Sequence, residues 1–383
     1  MKKSRVPFSY LDRQFANIDD YLAELRTFVQ TGDFTLGKPL EEFERRVATL
    51  HQTAFGIGLN SGTDAITFPL KMLGIGPGDE VITTPMTFIA TVGAIVASGA
   101  TPVFVDSEDG FVIDTDKIEN AITSRTKAIV PVHYTGNIAD MPKIQKIAQK
   151  HRLKIIEDAC QAFGGAIEGK PVGSWADAAA FSFHPLKNLN VWSDGGMAIT
   201  NDPELTRRLR LYRNHGLVHR DEVEFFGVNS RFDTIQAVIG NRLIQQTRFI
   251  TEQKIRHAAQ LDDAFRDIPE IRIPVRRPGV KHVYHLYLLR VERRDELHRY
   301  LNEQGIEAKI HYPKPVHLQK GAAFLGYEKG SFPKCESDCH QIITLPGHQH
   351  LTVDELSYMI ETVRDFYKRK TSASSTQSAL QHA

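Results

Sequence analysis

Two residues with the potential for chemistry follow predicted strands. Asp158 ends the apolar run KIIED, and Lys187 comes shortly after the run AAFSF, within FSFHPLKN. Ligands of open α/β sheets bind beyond the carboxyl ends of the strands, so we expect both side chains at one sheet edge. There, an amine beside a carboxylate can serve covalent chemistry on an aldehyde. The alternative is a surface lysine beside a strand-end aspartate, with no chemical role.

A third feature is the segment NSGTD, residues 60–64, which follows a strand and opens a helix. Free backbone N–H groups, the Thr63 hydroxyl and the helix dipole can hold one phosphate there. The same residue types are also typical of a plain helix cap. The nearby glycines lack the G-x-G-x-x-G spacing of a dinucleotide-binding loop, and the sequence contains no P-loop, which disfavours nucleotide hydrolysis.

Taken together, these groups fit one cofactor, pyridoxal 5'-phosphate. Its pyridine nitrogen needs an anion, its aldehyde an amine and its phosphate an anchor. Asp158, Lys187 and the segment 60–64 supply all three. The sequence therefore predicts a site for this cofactor at the sheet edge.

The elements that must position these residues alternate along the chain. From about residue 45 to 200, short apolar runs alternate with amphipathic stretches, which is typical of βαβ units and a mainly parallel sheet. A long polar helix over 236–266 then leads to strands and a helix that predict a smaller α+β domain. We predict an N-terminal segment and large domain over 1–249, a small C-terminal domain over 250–369 and a disordered tail over 370–383.

Composition limits the protein class. The chain has 383 residues, enough for two domains, and its 47 Lys and Arg nearly balance its 46 Asp and Glu, so nucleic-acid binding is disfavoured. No apolar run reaches the ~18 residues of a membrane span, and the N-terminus does not resemble a secretory signal. Only three cysteines are present, too few for a disulfide framework. We expect a cytoplasmic protein.

Six segments, in chain order, resemble the motifs of one enzyme family. They are GLNSGTDAI, TPMTFIATVGAI, IIEDACQAFG, FSFHPLKN with a following DGGM, RNHG and GVNSRFDTIQAVIG. They are similar to the successive motifs of the DegT/DnrJ/EryC1/StrS aminotransferases and extend over nearly the whole chain. The resemblance implies an α/β, fold-type I subunit like that of aspartate aminotransferase, working as a homodimer with its active sites at the subunit interface.

The resemblance also implies roles for individual residues. Lys187 matches the lysine that bonds the cofactor aldehyde and then shuttles a proton, and Asp158 matches the aspartate that keeps the pyridine nitrogen protonated. The resemblance further implies that Phe88 stacks on the cofactor ring and that Gln161 lies near the ring hydroxyl. It implies a phosphate cradle of Gly62, Thr63 and Ser182, and an asparagine, Asn229, that reaches the phosphate of the neighbouring subunit. Residues matching positions that line the substrate cleft are His184, His215, His311 and Tyr312.

Two segments invite other interpretations. The possible metal ligands Cys335, Cys339, His340, His348 and His350 lie close together in sequence, but their spacing fits no zinc pattern, and we predict no metal. After the lysine, the family usually has a Thr- and Gly-containing stretch ending in Glu-Gly-Gly, whereas this chain has NLNVWSDGG. The bulky ring of Trp192 would then lie near the region that holds the sugar.

The resulting hypothesis is an aminotransferase that moves an amino group from L-glutamate to a keto sugar. The resemblance implies a nucleotide-linked keto-deoxysugar and a role in surface polysaccharide, lipopolysaccharide or amino-sugar biosynthesis. The altered segment leaves room for an unactivated keto sugar, such as 8-keto-Kdo, or an aminocyclitol ketone. The alternatives are a pyridoxal phosphate-dependent sugar dehydratase, in which histidine replaces the lysine, and a regulatory relative without turnover.

Overall fold

The computed structural model describes residues 4–380, with side chains over 4–369. Its strands, in chain order, are β1 (Phe55–Leu59), β2 (Glu80–Thr83), β3 (Thr101–Phe104), β4 (Thr126–Ile129), β5 (Lys154–Asp158), β6 (Ala166–Ile167), β7 (Lys170–Pro171), β8 (Ala178–Ser182), β9 (Gly196–Thr200), β10 (Leu217–His219), β11 (Glu222–Val223), β12 (Ile271–Arg272), β13 (Val280–Lys281), β14 (Tyr287–Val291) and β15 (Ile342–Leu345). Its α-helices are α1 (Leu11–Gln14), α2 (Ile18–Val29), α3 (Lys38–Leu50), α4 (Gly62–Met72), α5 (Ile89–Ser98), α6 (Met141–His151), α7 (Pro203–Tyr212), α8 (Thr234–Leu243), α9 (Thr247–Phe265), α10 (Arg294–Glu303), α11 (Pro333–Gln341) and α12 (Val353–Leu380).

A seven-stranded sheet in the order β1-β9-β8-β5-β4-β2-β3 forms the centre of the large domain. The pairs among β8, β5, β4, β2 and β3 are parallel, whereas β9 runs antiparallel to both β1 and β8. The predicted mainly parallel sheet is confirmed. The antiparallel strand β9 was not among the predicted strands.

The large domain has three layers, with helices on both faces of the sheet. Successive side chains of a strand point to opposite faces. Thus Ala178 and Ala180 of β8 pack in one core cluster with Ile66 of α4, while Phe181 packs in another with Ile144 of α6. The small alanine side chains let α4 lie close to the sheet.

The small domain is built on a three-stranded antiparallel sheet in the order β12-β14-β15. Its core joins Phe265 of α9, Leu297 of α10 and Met359 of α12, and it also includes Val6 from the beginning of the chain. Val6 forms a bridge with Ile306, so the N-terminal segment packs on the small domain. The segment was assigned with the large domain in the sequence-based division.

Other predicted limits differ in detail. The single helix predicted over 236–266 is two helices, α8 and α9, joined by a 3-10 turn at Ile244–Gln246. Helix α9 crosses the predicted boundary at residue 250, and the domain limits stay a prediction. Of the predicted tail, 370–380 continues the backbone of α12, while its side chains and residues 381–383 lie outside the described residues.

Among the described residues, no helix combines the length and apolar character needed to cross a membrane.

A buried ion pair ties the small domain together. Arg290 of β14 donates from Nε and Nη2 to the two carboxylate oxygens of Asp338 at 2.5 and 2.8 Å. Its Nη1 reaches the carbonyl oxygen of Asp109 in the large domain at 3.0 Å, and its guanidinium lies 4.0 Å from the ring centre of Phe111. Both partners of the pair are at most 2% exposed. Loss of Asp338 would leave the buried Arg290 with only the distant carboxylate of Asp109, 3.9 Å away.

We expect Asp338→Ala to lower the free energy of unfolding by about 3–5 kcal/mol, because Arg290 stays buried without its carboxylate. Urea unfolding followed by circular dichroism measures the change. The matched control is Asp263→Ala, since Asp263 pairs with Arg266 at the surface and is 71% exposed, and we expect nearly the same midpoint as for the unchanged protein. Equal midpoints for both variants would contradict the role given to the pair.

Candidate active site

A cavity of about 360 Å³ lies at the carboxyl ends of β5 and β8 and extends to the small domain. Ten of the twelve predicted site residues line it: Gly62, Thr63, Phe88, Asp158, Gln161, Ser182, His184, Lys187, His311 and Tyr312. The other two, His215 and Asn229, are exposed on a segment outside the cavity lining. The expectation that Asp158 and Lys187 share one sheet edge therefore agrees with the structure.

The carboxylate of Asp158 is held from two sides. It is 5% exposed, and its Oδ2 accepts a hydrogen bond from the Thr91 hydroxyl at 2.6 Å. The Thr87 hydroxyl lies 2.7 Å from that of Thr91 and must be the donor there, because Thr91 uses its only proton on Asp158. The backbone N–H of Cys160 donates to Oδ1 at 3.2 Å. These bonds fix the direction in which the carboxylate faces the cavity.

Lys187 lies in the turn after β8, half-buried. Its backbone N–H donates to the carbonyl of His184 at 2.8 Å, and its own carbonyl accepts from the Tyr10 hydroxyl at 3.2 Å. Burial lowers the pKa of its amine, which raises the fraction of the neutral, nucleophilic form. A backbone held at both ends thus presents an activated amine to the cavity.

The first turn of α4 has the features of a phosphate site. Ser61 caps the helix, with its Oγ accepting from the N–H of Asp64 at 3.1 Å, so the N–H groups of Gly62 and Thr63 stay available. A Cβ on Gly62 would lie 2.8 Å from the Cβ of Ser182 and 2.9 Å from Cys160 Sγ. The helix terminus therefore approaches the strand end as closely as glycine permits, with the Ser182 hydroxyl beside it.

Two further predicted residues flank the space between these groups. The Phe88 ring is 47% exposed and lies 5.7 Å from the ring of Tyr312. The Oε1 of Gln161 accepts from the backbone N–H of Thr135 at 2.7 Å, which orients the amide so that its NH₂ group remains a donor. An aromatic face and an oriented amide thus border the cavity.

The histidines of the cavity are uncharged at neutral pH. Burial lowers the pKa of His311 to about 4, and its Nδ1 lies 2.9 Å from the Thr344 hydroxyl. Burial likewise lowers the pKa of His184, whose Nδ1 accepts from the N–H of Leu186 at 3.3 Å. These rings contribute hydrogen bonds rather than charge.

Several lining residues were missed from the sequence: Phe8, Tyr10, Thr87, Thr91, Lys254, His285 and His348. Thr91 follows Phe88 by three positions, and one helical turn was the available signal. The N-terminal and small-domain residues had none, because only the tertiary fold brings them to the sheet edge.

The structure also separates two sets that the sequence placed together. Cys335 and Cys339 pack against Met86 Sδ at 3.8 and 3.9 Å, whereas the Nε2 of His348 donates to the carbonyl of Pro7 at 3.2 Å. In the part of the chain that is described, no three His, Cys, Asp or Glu side chains gather as a metal site.

Trp192 does not line the cavity, contrary to expectation: its ring packs 5.7 Å from Phe15 and 5.6 Å from Tyr21.

These features fit pyridoxal phosphate. Gly62 and Thr63, at the N-terminus of α4, line the same cavity as Asp158 and Lys187, so an anion in that cavity can reach the helix N–H groups. Gly62, Thr63 and Ser182 would hold the phosphate, Asp158 the pyridine nitrogen, Phe88 and Gln161 the ring.

Known proteins share the sequence and the fold of this chain. The sequence model of the DegT/DnrJ/EryC1/StrS aminotransferase family matches residues 16–364. A pleiotropic regulatory protein of Geobacillus stearothermophilus is 40% identical over 369 residues, covering 95% of this chain and 99% of that protein. The 3-oxo-glucose-6-phosphate:glutamate aminotransferase of Bacillus subtilis strain 168 is 35% identical over 379 residues, covering 94% and 83%.

Among solved structures, Streptomyces venezuelae DesV in complex with a ketimine intermediate superposes with a TM-score of 0.93 at 39% identity, covering 95% of this chain and 99% of that one. The predicted fold class is confirmed.

We expect Gly62→Ala to weaken pyridoxal phosphate binding about tenfold or more, because the added methyl group must push the helix terminus away from Ser182. Titration of the protein with the cofactor, followed by visible absorbance, gives the dissociation constant.

The matched control is Gly93→Ala, at an exposed helical glycine of α5 where a Cβ meets nothing within 4 Å. We expect cofactor affinity to stay unchanged there. An unchanged affinity for Gly62→Ala would exclude the first turn of α4 as the phosphate site.

Proposed function

The chain belongs to the DegT/DnrJ/EryC1/StrS aminotransferase family, and we propose that Lys187 and Asp158 carry the transfer of an amino group from L-glutamate to a keto sugar in its cavity. As a member of this family it is a pyridoxal phosphate-dependent sugar aminotransferase. The observation that carries the residue assignment is the convergence of the Lys187 amine, the Asp158 carboxylate and the N-terminus of α4 in one cavity.

When bound, pyridoxal phosphate supplies an aldehyde that captures the amino group and a ring that accepts electrons from the substrate carbon. Lys187 would hold the aldehyde, and its amine, when free and neutral, would take up and return the proton at the substrate carbon. Asp158, held by Thr91, would keep the pyridine nitrogen protonated. Phe88 would cover one face of the ring and limit access of water.

Within the class of keto sugars, we propose the following donor and acceptor. L-Glutamate as donor is supported by the Bacillus subtilis relative, which is named for it. That relative also acts on a sugar phosphate, so the acceptor of this chain need not carry a nucleotide. We propose that the product serves polysaccharide or amino-sugar biosynthesis in the cytoplasm, where the thiols of three free cysteines persist.

The two alternative functions fit less well. Lys187 stands where the sugar dehydratases carry histidine, so dehydration has no support in this chain. A purely regulatory role, suggested by the name of the Geobacillus stearothermophilus relative, would leave the Lys187 and Asp158 arrangement without a purpose.

We also propose a homodimer that shares its active sites. Asn229 is exposed, and Phe226 three positions earlier is 93% exposed, which suits burial against a second copy of the chain. Asn229 would then contact the phosphate bound in the partner subunit. A single subunit would hold an incomplete site.

The purified protein is expected to be yellow when it holds pyridoxal phosphate bonded to the lysine. L-Glutamate should bleach this visible absorbance. Borohydride reduction before glutamate is added should attach the cofactor to Lys187, as read by peptide mapping. Lys187→Ala should lose at least about a thousandfold in rate, because it removes the proton-transferring amine. Label on another lysine, or amino transfer by Lys187→Ala at the normal rate, would overturn the assignment.

Subunit mixing tests the shared site. Lys187→Ala and Asn229→Asp should each be weakly active, the latter because its carboxylate repels the phosphate. Random mixing should restore about a quarter of the activity, because half of the dimers are hybrids with one intact site of two. Mixing Lys187→Ala with Asp158→Ala is the control and should restore none, since both residues belong to the same subunit's site. No recovery in the first mixture would contradict the role of Asn229.

A further inference from the structure

A second amine, that of Lys254, lies in the same cavity. Lys254 belongs to α9 and is 2% exposed, and it lines the cavity with Tyr10, His285 and His348. Its Nζ is 5.7 Å from the centre of the Tyr10 ring. The proposed amino transfer uses Lys187 and leaves Lys254 without a role.

Lys254 has no acidic partner among the residues that the structure describes. Over the described residues, no Asp or Glu oxygen lies within 4.0 Å of its Nζ, which donates only to the carbonyls of Tyr284 and His285, at 3.3 and 3.4 Å. Both bonds are long, and an ammonium has three protons to donate. Burial without a carboxylate lowers the pKa of Lys254 to about 7. An anion arriving beside it would stabilise its charged form.

The groups around Lys254 carry no negative charge. His348 is a neutral ring whose Nδ1 accepts from the N–H of His350 at 3.2 Å, which leaves Nε2 to donate to the carbonyl of Pro7 at 3.2 Å. Burial raises the pKa of Tyr10, so its phenol stays protonated. An uncompensated buried amine in a cavity wall is costly, and the structure supplies nothing to neutralise it.

A second unpaired group stands next to it. The Nδ1 of His285 is buried and has no hydrogen-bond partner among the described residues. His285 lines the cavity with Lys187 and Lys254, and burial, followed by the charges of these two amines, lowers the pKa of its ring. Lys254 and His285 thus offer a positive donor and a neutral ring nitrogen side by side.

We propose that Lys254 and His285 bind a carboxylate group of a substrate. The inference rests on the proposed function, since it takes the cavity to be the site of amino transfer. A carboxylate has two oxygens, one for the ammonium and one for a donor ring N–H, and it is carried by the amino-acid donor and by sugar acids. The cofactor phosphate is not the occupant, because its site is the N-terminus of α4.

The test uses the holoenzyme and its Lys254→Met variant, which keeps the length of the side chain without its charge. Two probes are compared by cofactor absorbance: bleaching by L-glutamate, and slowing of that bleaching by the sugar acid 3-deoxy-D-manno-octulosonate. We expect the concentration of one probe that gives half of its full effect to be about tenfold to a hundredfold higher for Lys254→Met, because a charge-assisted hydrogen bond is lost. A shift for glutamate identifies the donor, and a shift for the octulosonate alone identifies a sugar acid.

Two further variants separate binding from structure. Lys254→Gln can still donate to the carbonyls of Tyr284 and His285, so a structural role predicts normal binding, whereas our proposal predicts the same loss as for Lys254→Met. Arg248→Met removes an exposed charge from the same helix and should leave both probes unchanged. We expect Lys254→Met to melt at the same or a higher temperature, because it removes an unpaired buried amine.

The outcomes distinguish failure of the proposed function from failure of the carboxylate site. A wild-type holoenzyme that does not respond to glutamate counts against the proposed function. If the wild type responds to glutamate and Lys254→Met needs the same concentrations of both probes as the wild type, the carboxylate site alone is overturned. Loss of cofactor binding or of thermal stability in Lys254→Met and Lys254→Gln would also overturn it, in favour of a structural lysine.

Discussion

No side chain fits between the first turn of α4 and the ends of β8 and β9. A Cβ on Gly62 would meet Ser182, and a Cβ on Gly196 would lie 2.1 Å from the carbonyl oxygen of Ser61. These facing glycines set the distance between helix and sheet, and the alanines of β8 continue the close approach. The positions of the helix N–H groups, of Ser182 and of the neighbouring Asp158 all depend on that distance. The site is therefore a property of how one helix packs on one sheet.

Much of this arrangement could be predicted because it is local to strand ends. The apolar runs before Asp158 and Lys187 located two strands, and parallel strands end at a common edge. Thr91 and Lys254 could not be found in this way, since they come from helices whose orientation only the packed structure determines. Asn229 and His215 lie outside the cavity lining, and only the resemblance to a family, not a pattern in the sequence, gave them a role in the site.

The charge of the cavity comes from few groups. Burial keeps the rings of His285, His311 and His348 neutral, so these side chains orient a ligand without changing the net charge. The lysines and aspartates of the lining are two of each, Lys187, Lys254, Asp158 and Asp194. Lys187 and Asp158 are attached to the sheet of the large domain, whereas Lys254 is attached to α9. The proposed amino transfer and the proposed carboxylate site thus depend on different elements of the fold.

The N-terminal segment has a consequence for the order in which the chain folds. Val6 is completely buried in the small-domain core and bridges Ile306, and Tyr10 bonds to the carbonyl of Lys187. During synthesis Val6 must therefore wait until about three hundred more residues have been made before Ile306 is available, whereas Lys187 follows Tyr10 by 177 residues. Contacts of such long sequence separation form late and slow folding, because a large loop must close first. The large domain can be built beforehand, while its cavity gains the Tyr10 wall only when the last part of the chain is in place.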